Sequence, residues 1–133
     1  MSTTETKAMV TGVDFAVVPA QDYERAARFY GETLGLPSGK RWGELPAGEF
    51  ETGNLTLALM QTDAFGLEFS PNVAPVALQV PDVPSARAEL EARGVRFVTD
   101  LIDSGFCHQA IFTDPDGNVL ALHRRYKPAP GPR

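Results

Sequence analysis

Short apolar runs with strand character alternate along the chain with two stretches that have the spacing of an amphipathic helix. Residues 13–18 form the first such run, and Asp22 follows them as a candidate helix cap. The helix is predicted to extend to about Leu34 and to end at Gly35. Proline and glycine punctuate three further predicted strands, at 39–45, 49–53 and 55–61. The first half of the chain therefore predicts one βαβββ module.

The same order of elements returns in the second half. Residues 76–80 predict a strand, Asp82 is a candidate cap with Pro84 near the first helical turn, and Gly94 closes a helix over 85–93. Asp82 lies over Asp22 at an offset of 82 − 22 = 60. Strands follow at 96–102, 106–113 and 118–124. The sequence thus predicts an α+β fold of two tandem βαβββ modules, 11–62 and 74–126, which curl into an incomplete eight-stranded barrel with the helices outside.

Alternation along the strands predicts which side chains face the cleft inside this barrel. The leucines at 55, 57 and 59 occupy one face of their strand, and those at 120 and 122 do the same in the second module, so we assign these faces to the helix side. The intervening side chains then face the cleft, namely Thr56, Ala58, Met60, Ala77, Gln79, Ala121 and His123.

Length and composition indicate one globular domain, over 10–126, between a disordered tail at 1–9 and a proline-rich tail at 127–133. The net charge of −5 and the pI near 4.9 argue against a nucleic-acid partner. No apolar run approaches the length of a membrane span, and the start lacks the apolar stretch of a signal peptide. The lone Cys107 cannot form an internal disulfide. We therefore expect a cytoplasmic protein with no membrane contact.

Three segments together resemble the vicinal oxygen chelate superfamily, which includes glyoxalases, bleomycin-binding resistance proteins and extradiol dioxygenases. They read VDFAVVPAQDYERAARFYGETLGLP at 13–37, VALQVPDVPSARAELEARG at 76–94 and FTDPDGNVLAL at 112–122. The resemblance implies a single glyoxalase/bleomycin-resistance-like domain with a small-molecule cleft. It also implies a homodimer, because members of the family commonly build their clefts between chains.

Metal-using members of this family hold a divalent ion with His, Gln or Glu side chains from the first and last strands of each module. Carried over to this sequence, those positions fall on Phe15 and Ala58 in the first module and on Pro75 and Ala121 in the second. None of the four side chains has a donor atom, whereas a catalytic divalent ion needs about three N, O or S ligands. The resemblance therefore predicts a member without a bound metal or another cofactor.

The remaining cleft positions suit a small-molecule site. Phe15, Trp42, Met60 and Ile111 would form apolar walls, and a few polar groups would orient the ligand. Acidic residues at 44, 49, 51 and 68 could favour a cationic ligand or could form a solvated face. The predicted ligand-binding residues are Phe15, Trp42, Thr56, Ala58, Met60, Ala77, Gln79, Cys107, Gln109, Ile111, Ala121 and His123.

His123 is the one candidate catalytic residue, as a general base or as a ligand contact, and its alternative is a histidine at the cleft rim. Cys107 and His108 are adjacent in a strand, so they face opposite ways, and Cys107 is more readily a small apolar residue than a nucleophile. A displaced metal site from Cys107, His123 and Glu44 or Glu51 is a further alternative.

These observations lead to three hypotheses of function. The first is a metal-free protein that binds a small molecule, such as an antibiotic or a metabolite. The alternative is a lyase, isomerase or dioxygenase-type enzyme that uses His123 or displaced metal ligands. A regulatory module with a closed cleft is the third possibility.

Overall fold

Each half of the chain folds into one four-stranded sheet with one helix, in a computed structural model that describes residues 8–128. The predicted tails lie mainly outside the described residues. The first module contains β1 (Ala16–Ala20), α1 (Tyr23–Arg28), which continues as a π-helical turn (Phe29–Thr33), β2 (Ser38–Arg41), β3 (Ala47–Glu51) and β4 (Thr56–Gln61). After a 3-10 turn (Thr62–Phe65), the second contains β5 (Val76–Gln79), α2 (Val83–Ala92), β6 (Ile102–Asp103), β7 (Cys107–Thr113) and β8 (Val119–Arg125).

The two sheets have the same topology. Their strand orders are β1-β4-β3-β2 and β5-β8-β7-β6, with the first and last strands of each module parallel and the other pairs antiparallel. The predicted α+β class and the two βαβββ modules are thus confirmed. No helix among residues 8–128 is long and apolar enough to cross a membrane.

The predicted caps are found at both helices. Asp22 Oδ1 accepts a hydrogen bond from the Arg25 backbone N–H at 3.3 Å, and Asp82 Oδ2 accepts one from the Ser85 N–H at 2.9 Å. Pro84 lies in the first turn of α2, where its missing N–H costs no hydrogen bond. The offset of 60 residues between Asp22 and Asp82 therefore relates two equivalent N-caps, one at the start of each helix.

Several predicted strand boundaries are wrong. The strands predicted at 39–45 and 49–53 are β2 and β3, which span Ser38–Arg41 and Ala47–Glu51. The first strand begins at Ala16 and not at residue 13, and most of the predicted strand at 96–102 is irregular. In that segment Phe97 forms only an isolated bridge with Phe112. The ladder stops there because the Ile111 N–H donates to the side chain of Thr99 at 3.1 Å, so a threonine hydroxyl replaces the backbone partner that a strand would supply.

The helix-side faces predicted from alternation are confirmed for four of the five leucines. Leu55 precedes β4, is half-buried and is not in the core cluster. Leu57, Leu59, Leu120 and Leu122 are all buried, and they belong to one hydrophobic cluster that includes side chains of both helices. The residues of β5 that alternate with the predicted cleft positions also pack against this cluster. Both modules therefore share a single core, and the opposite face of each sheet carries no helix.

A polar joint connects the two modules at the turn between β7 and β8. Asp114, Asp116 and Asn118 are buried in this turn, and Gly117 takes the positive φ of 89° that the turn requires. Their side chains hold backbone groups of the turn and reach into the first module. The sequence did not predict this joint, because long-range partners leave no local signal.

The partners of this joint come from β1 and α1. Asn118 Nδ2 donates to the Pro19 carbonyl at 2.8 Å, and Tyr30 donates its hydroxyl proton to Asp114 Oδ2 at 2.6 Å. Arg25 forms an ion pair with Asp116 at 2.7 Å. Burial and the neighbouring Asp114 carboxylate raise the pKa of Tyr30 above its usual value.

Candidate functional site

In the first module the helix-free face centres on Ala58. Alternation places Ala58 on the side opposite Leu57 and Leu59, with Val17 beside it on β1 and Glu49 beside it on β3. Ala58 is fully buried although it lies outside the core cluster, because larger side chains flank it on both sides. Val17 is 40 % exposed, so this face is open to solvent beside the buried alanine.

An aromatic wall borders this face. Phe15 and Trp42 meet edge to face with ring centroids 5.6 Å apart, and Phe15 is 41 % exposed. The indole N–H of Trp42 donates to Glu49 Oε2 at 2.8 Å. Trp42 is therefore held in one orientation by a carboxylate and an aromatic neighbour, and both rings keep surface that a ligand could cover.

The other polar residues of this face are paired within the chain. Thr56 donates its hydroxyl proton to Glu51 Oε1 at 2.7 Å. Gly39 allows the other oxygen of Glu51 to approach, since a Cβ there would lie 3.0 Å from Glu51 Oε2. Met60 is half-buried opposite Ala47. The sequence suggested Glu49 only as a member of an acidic group and Glu51 also as a displaced metal ligand. Both belong to the helix-free face.

The second module repeats this arrangement with different residues. Across the sheet, Ala121 pairs with Ala77 and with Ile111, and Ala121 is fully buried like its counterpart Ala58. The next row places His123 between Gln79 and Gln109. The ladder of β7 with β8 is regular, so the predicted directions of these side chains hold.

Cys107 and His108 face opposite sides of β7, as predicted. Cys107 is half-exposed and pairs in register with Arg125 on the helix-free side. On the other side, the ring of His108 lies 4.6 Å from that of Tyr126, and its Nε2 lies 3.3 Å from Asp103 Oδ2. These two residues therefore do not form a catalytic dyad.

The four positions that hold metal in related enzymes do not fit a divalent ion here. Phe15, Ala58, Pro75 and Ala121 offer no side-chain donor, and Glu49, the nearest carboxylate in register with Ala58, is bonded to Trp42. Within the part of the chain that the structure describes, no three His, Cys, Asp or Glu side chains are grouped closely enough for a metal. The absence of a metal stays a prediction.

The sequence reasoning missed basic residues at the end of β8. Arg125 follows His123 on the same face by alternation, and Lys127 comes two residues later. Both border a cavity of about 500 Å³ together with Ala77, Gln79 and His123. The signal was present in the run HRRYK at 123–127, where three basic residues follow or flank the last predicted strand.

Comparisons with known proteins agree with this architecture. Residues 12–122 match the family described as "Glyoxalase/Bleomycin resistance protein/Dioxygenase superfamily". No curated protein gives a significant match. Among solved structures, the chain resembles a putative glyoxalase family protein from Bacillus anthracis, at 24 % identity, with 90 % of this chain and 99 % of that chain covered and a TM-score of 0.76.

Two further structures are similar over nearly the whole chain. TnmS3, an antibiotic-binding protein from Streptomyces sp. CB03234, is 27 % identical, with 90 % of this chain and 99 % of that chain covered and a TM-score of 0.74. A glyoxalase/bleomycin resistance protein/dioxygenase from Nocardioides is 20 % identical, with 96 % and 92 % covered and a TM-score of 0.75. By its sequence match and its paired modules, the chain belongs to the glyoxalase/bleomycin resistance protein/dioxygenase superfamily.

Proposed function

We propose that the protein binds a small organic molecule, an antibiotic or a metabolite, on the helix-free faces of its sheets and without a divalent metal. The observation that carries this proposal is the composition of those faces. Exposed aromatic and aliphatic side chains surround two small alanines, where family enzymes have metal ligands. A few fixed polar groups among apolar walls are the usual composition of a small-molecule site.

The preorganised wall of Phe15 and Trp42 supports binding rather than a purely structural role. Both rings are fixed by contacts within the chain, so covering them with a ligand would lose little conformational freedom. Ala77 and Gln79 in the second module are exposed as well. Together these exposures argue against a regulatory module with a closed cleft.

The likeness to TnmS3 gives independent support for this class of function. That protein is described as antibiotic-binding, and at 27 % identity it covers 90 % of this chain. The ligand of this protein is not transferred from it, since residues on the site faces decide what is bound.

The first prediction uses Trp42, the single tryptophan of the chain, as the reporter. Titration with cationic antibiotics and with thiol adducts of 2-oxoaldehydes should give a ligand that changes its fluorescence, in EDTA as well as without it. Phe15→Ala should weaken that binding about tenfold, because it removes an aromatic contact and its buried area. Phe29→Ala, on the helix side of the same module, is the matched control and should leave the affinity unchanged in the folded protein.

The proposal fails if no compound of the panel alters Trp42 fluorescence and native mass spectrometry finds no small molecule carried through purification. Binding that EDTA abolishes would instead favour a metal site. The comparison of the two phenylalanine variants decides whether an observed ligand occupies the helix-free face. An equal loss of affinity in Phe15→Ala and Phe29→Ala would show that the ligand binds elsewhere on the protein.

The enzymatic alternative rests on His123. Its neighbours in register are Gln79 and Gln109, and among residues 8–128 no carboxylate is hydrogen-bonded to its ring to orient it as a base. A proton-transfer role therefore stays a prediction. Turnover of a bound compound that His123→Ala abolishes, with its affinity retained, would replace the binding function by a lyase or isomerase activity.

We further propose that two copies form a homodimer and complete the cleft together. The helix-free faces expose Phe15 and Val17, and the two sheets of the described chain share no ladder, so each module offers one open half of a cleft. Burial of such apolar surface favours association. Sedimentation at micromolar concentration should give twice the chain mass of 14.4 kDa. A monomer throughout that range would contradict this arrangement.

A further inference from the structure

The end of β8 and the residues after it form one wall of a cavity on the helix-free side of the second module. We call this cavity the β8-end pocket. Its volume is about 500 Å³, and its border includes Gln79, His123, Arg124, Arg125, Tyr126 and Lys127. Three of these residues, Arg124, Arg125 and Lys127, are cationic, and Gln79 and His123 also carry side-chain N–H groups.

The wall that carries the cations is fixed to the fold. The backbone N–H groups of Tyr126 and Lys127 both donate to the Phe106 carbonyl, at 2.8 and 3.2 Å. Tyr126 also donates its hydroxyl proton to Asp103 Oδ1 at 2.6 Å, and this bond lowers the pKa of Asp103. The segment is therefore held in place, although it lies beyond the last strand.

The basic side chains of this pocket are not neutralised within the described chain. The ion pairs shorter than 4 Å there use other basic residues, namely Arg25, Arg41, Arg87, Arg93 and His108. Asp103, on β6, is engaged by Tyr126, by the Gly105 N–H and by His108. Arg124, Arg125 and Lys127 thus concentrate positive charge on a protein whose net charge is −5.

The two helix-free faces consequently differ in charge. On the first module the carboxylates of Glu49 and Glu51 already accept hydrogen bonds from Trp42 and Thr56. On the second module the guanidinium of Arg125 has no such partner among the side chains described. An arginine with free N–H groups is suited to bidentate contact with a carboxylate or a phosphate.

We propose that the β8-end pocket binds an oxyanion group of the ligand, a carboxylate or a phosphate ester. Arg125 makes the ion pair, and Gln79 and Lys127 donate further hydrogen bonds. This inference rests on the proposed binding function and adds the chemical class of the ligand to it. It differs from the cationic ligand that the acidic residues of the sequence suggested.

Three probes with the same naphthalene ring test the inference by calorimetry on the full chain: 2-naphthoate, 2-naphthyl phosphate and the uncharged 2-naphthamide, which is isosteric with the naphthoate. The first two should bind at least about tenfold more tightly than the amide, as expected for hydrogen bonds to a charged group. Whichever of these two anionic probes binds more tightly shows whether the pocket prefers a carboxylate or a phosphate ester. Arg125→Gln should remove this advantage while leaving the affinity for the amide unchanged.

Arg96→Gln is the matched control, because it removes the same charge from an exposed position in the loop after α2. It should leave the advantage of the anionic probes intact. Equal affinities for anionic and neutral probes, or equal losses in the two variants, would overturn the inference and leave the binding function standing. If none of the probes binds, the inference also fails, whereas the binding function fails only if the wider panel leaves Trp42 unchanged as well.

Discussion

Replacement of Asn118 by alanine should lower the free energy of unfolding by about 3 kcal/mol, the largest effect expected from a single polar substitution in this chain. The side chain is 1 % exposed. Its Nδ2 donates to the Pro19 carbonyl and to Asp114 Oδ2, and its Oδ1 accepts from the Asn72 N–H, each at 2.8 Å. Alanine would leave three partners without these bonds, and two of them, the Pro19 carbonyl and Asp114 Oδ2, are buried. The cost of unsatisfied buried groups exceeds the value of the bonds themselves.

The control is Asn54→Ala, in the corresponding turn between β3 and β4. Asn54 is exposed, and its side chain accepts only from the Thr52 hydroxyl, at 3.2 Å. We expect a change within about 0.5 kcal/mol. Urea denaturation of both variants measures the difference. Similar small losses in the two would show that the joint between the modules contributes little to stability.

Alkaline solution should destabilise the protein through Tyr30, the second large effect. Burial and the Asp114 carboxylate raise the folded-state pKa of Tyr30, so the folded protein keeps a proton that the unfolded chain releases above about pH 10. The contribution is fully present below pH 10 and is lost as pH rises further. Stability should fall by about 1.4 kcal/mol for each pH unit above 10 from this group alone.

Denaturation at several pH values between 9 and 12 measures this slope. Tyr30→Phe should be less stable than the parent at pH 8, since it leaves Asp114 with one donor fewer, but its stability should fall less steeply above pH 10. Tyr126→Phe is the control at an exposed tyrosine, and it should keep most of the steep fall. If the stability of the parent and of Tyr30→Phe fell equally steeply with pH, Tyr30 would not be the cause of the alkaline destabilisation.

Local patterns in the sequence predicted the modules and their faces. Alternation around Leu57 and Leu120 was sufficient, because one face of each strand had to meet a helix and only the leucine face could do so. Asp22 and Asp82 located both helix starts through side-chain chemistry that acts over three residues. Both signals act between residues close together in the sequence, and the folded protein shows the faces and helix starts that they predict.

The features that the sequence did not predict depend on distant partners. The strand predicted around Thr99 is interrupted because its hydroxyl, and not its backbone, meets Ile111. The joint at Asn118 requires Asn72 and Pro19, which no local pattern connects with the turn. Alternation assigned seven of the twelve candidate site residues to the cleft face, but the pairing of Trp42 with Glu49 requires the register of the sheet.

The joint between the modules also constrains the order in which the chain can fold. Asn118 and Pro19 are 99 positions apart in sequence, and Tyr30 and Asp114 are 84 apart. Contacts of such long range can form only after local hairpins and the parallel pairing of each module have shortened the effective loop between them. The joint is therefore expected to close after the transition state for folding, so weakening it should chiefly accelerate unfolding and leave the folding rate nearly unchanged.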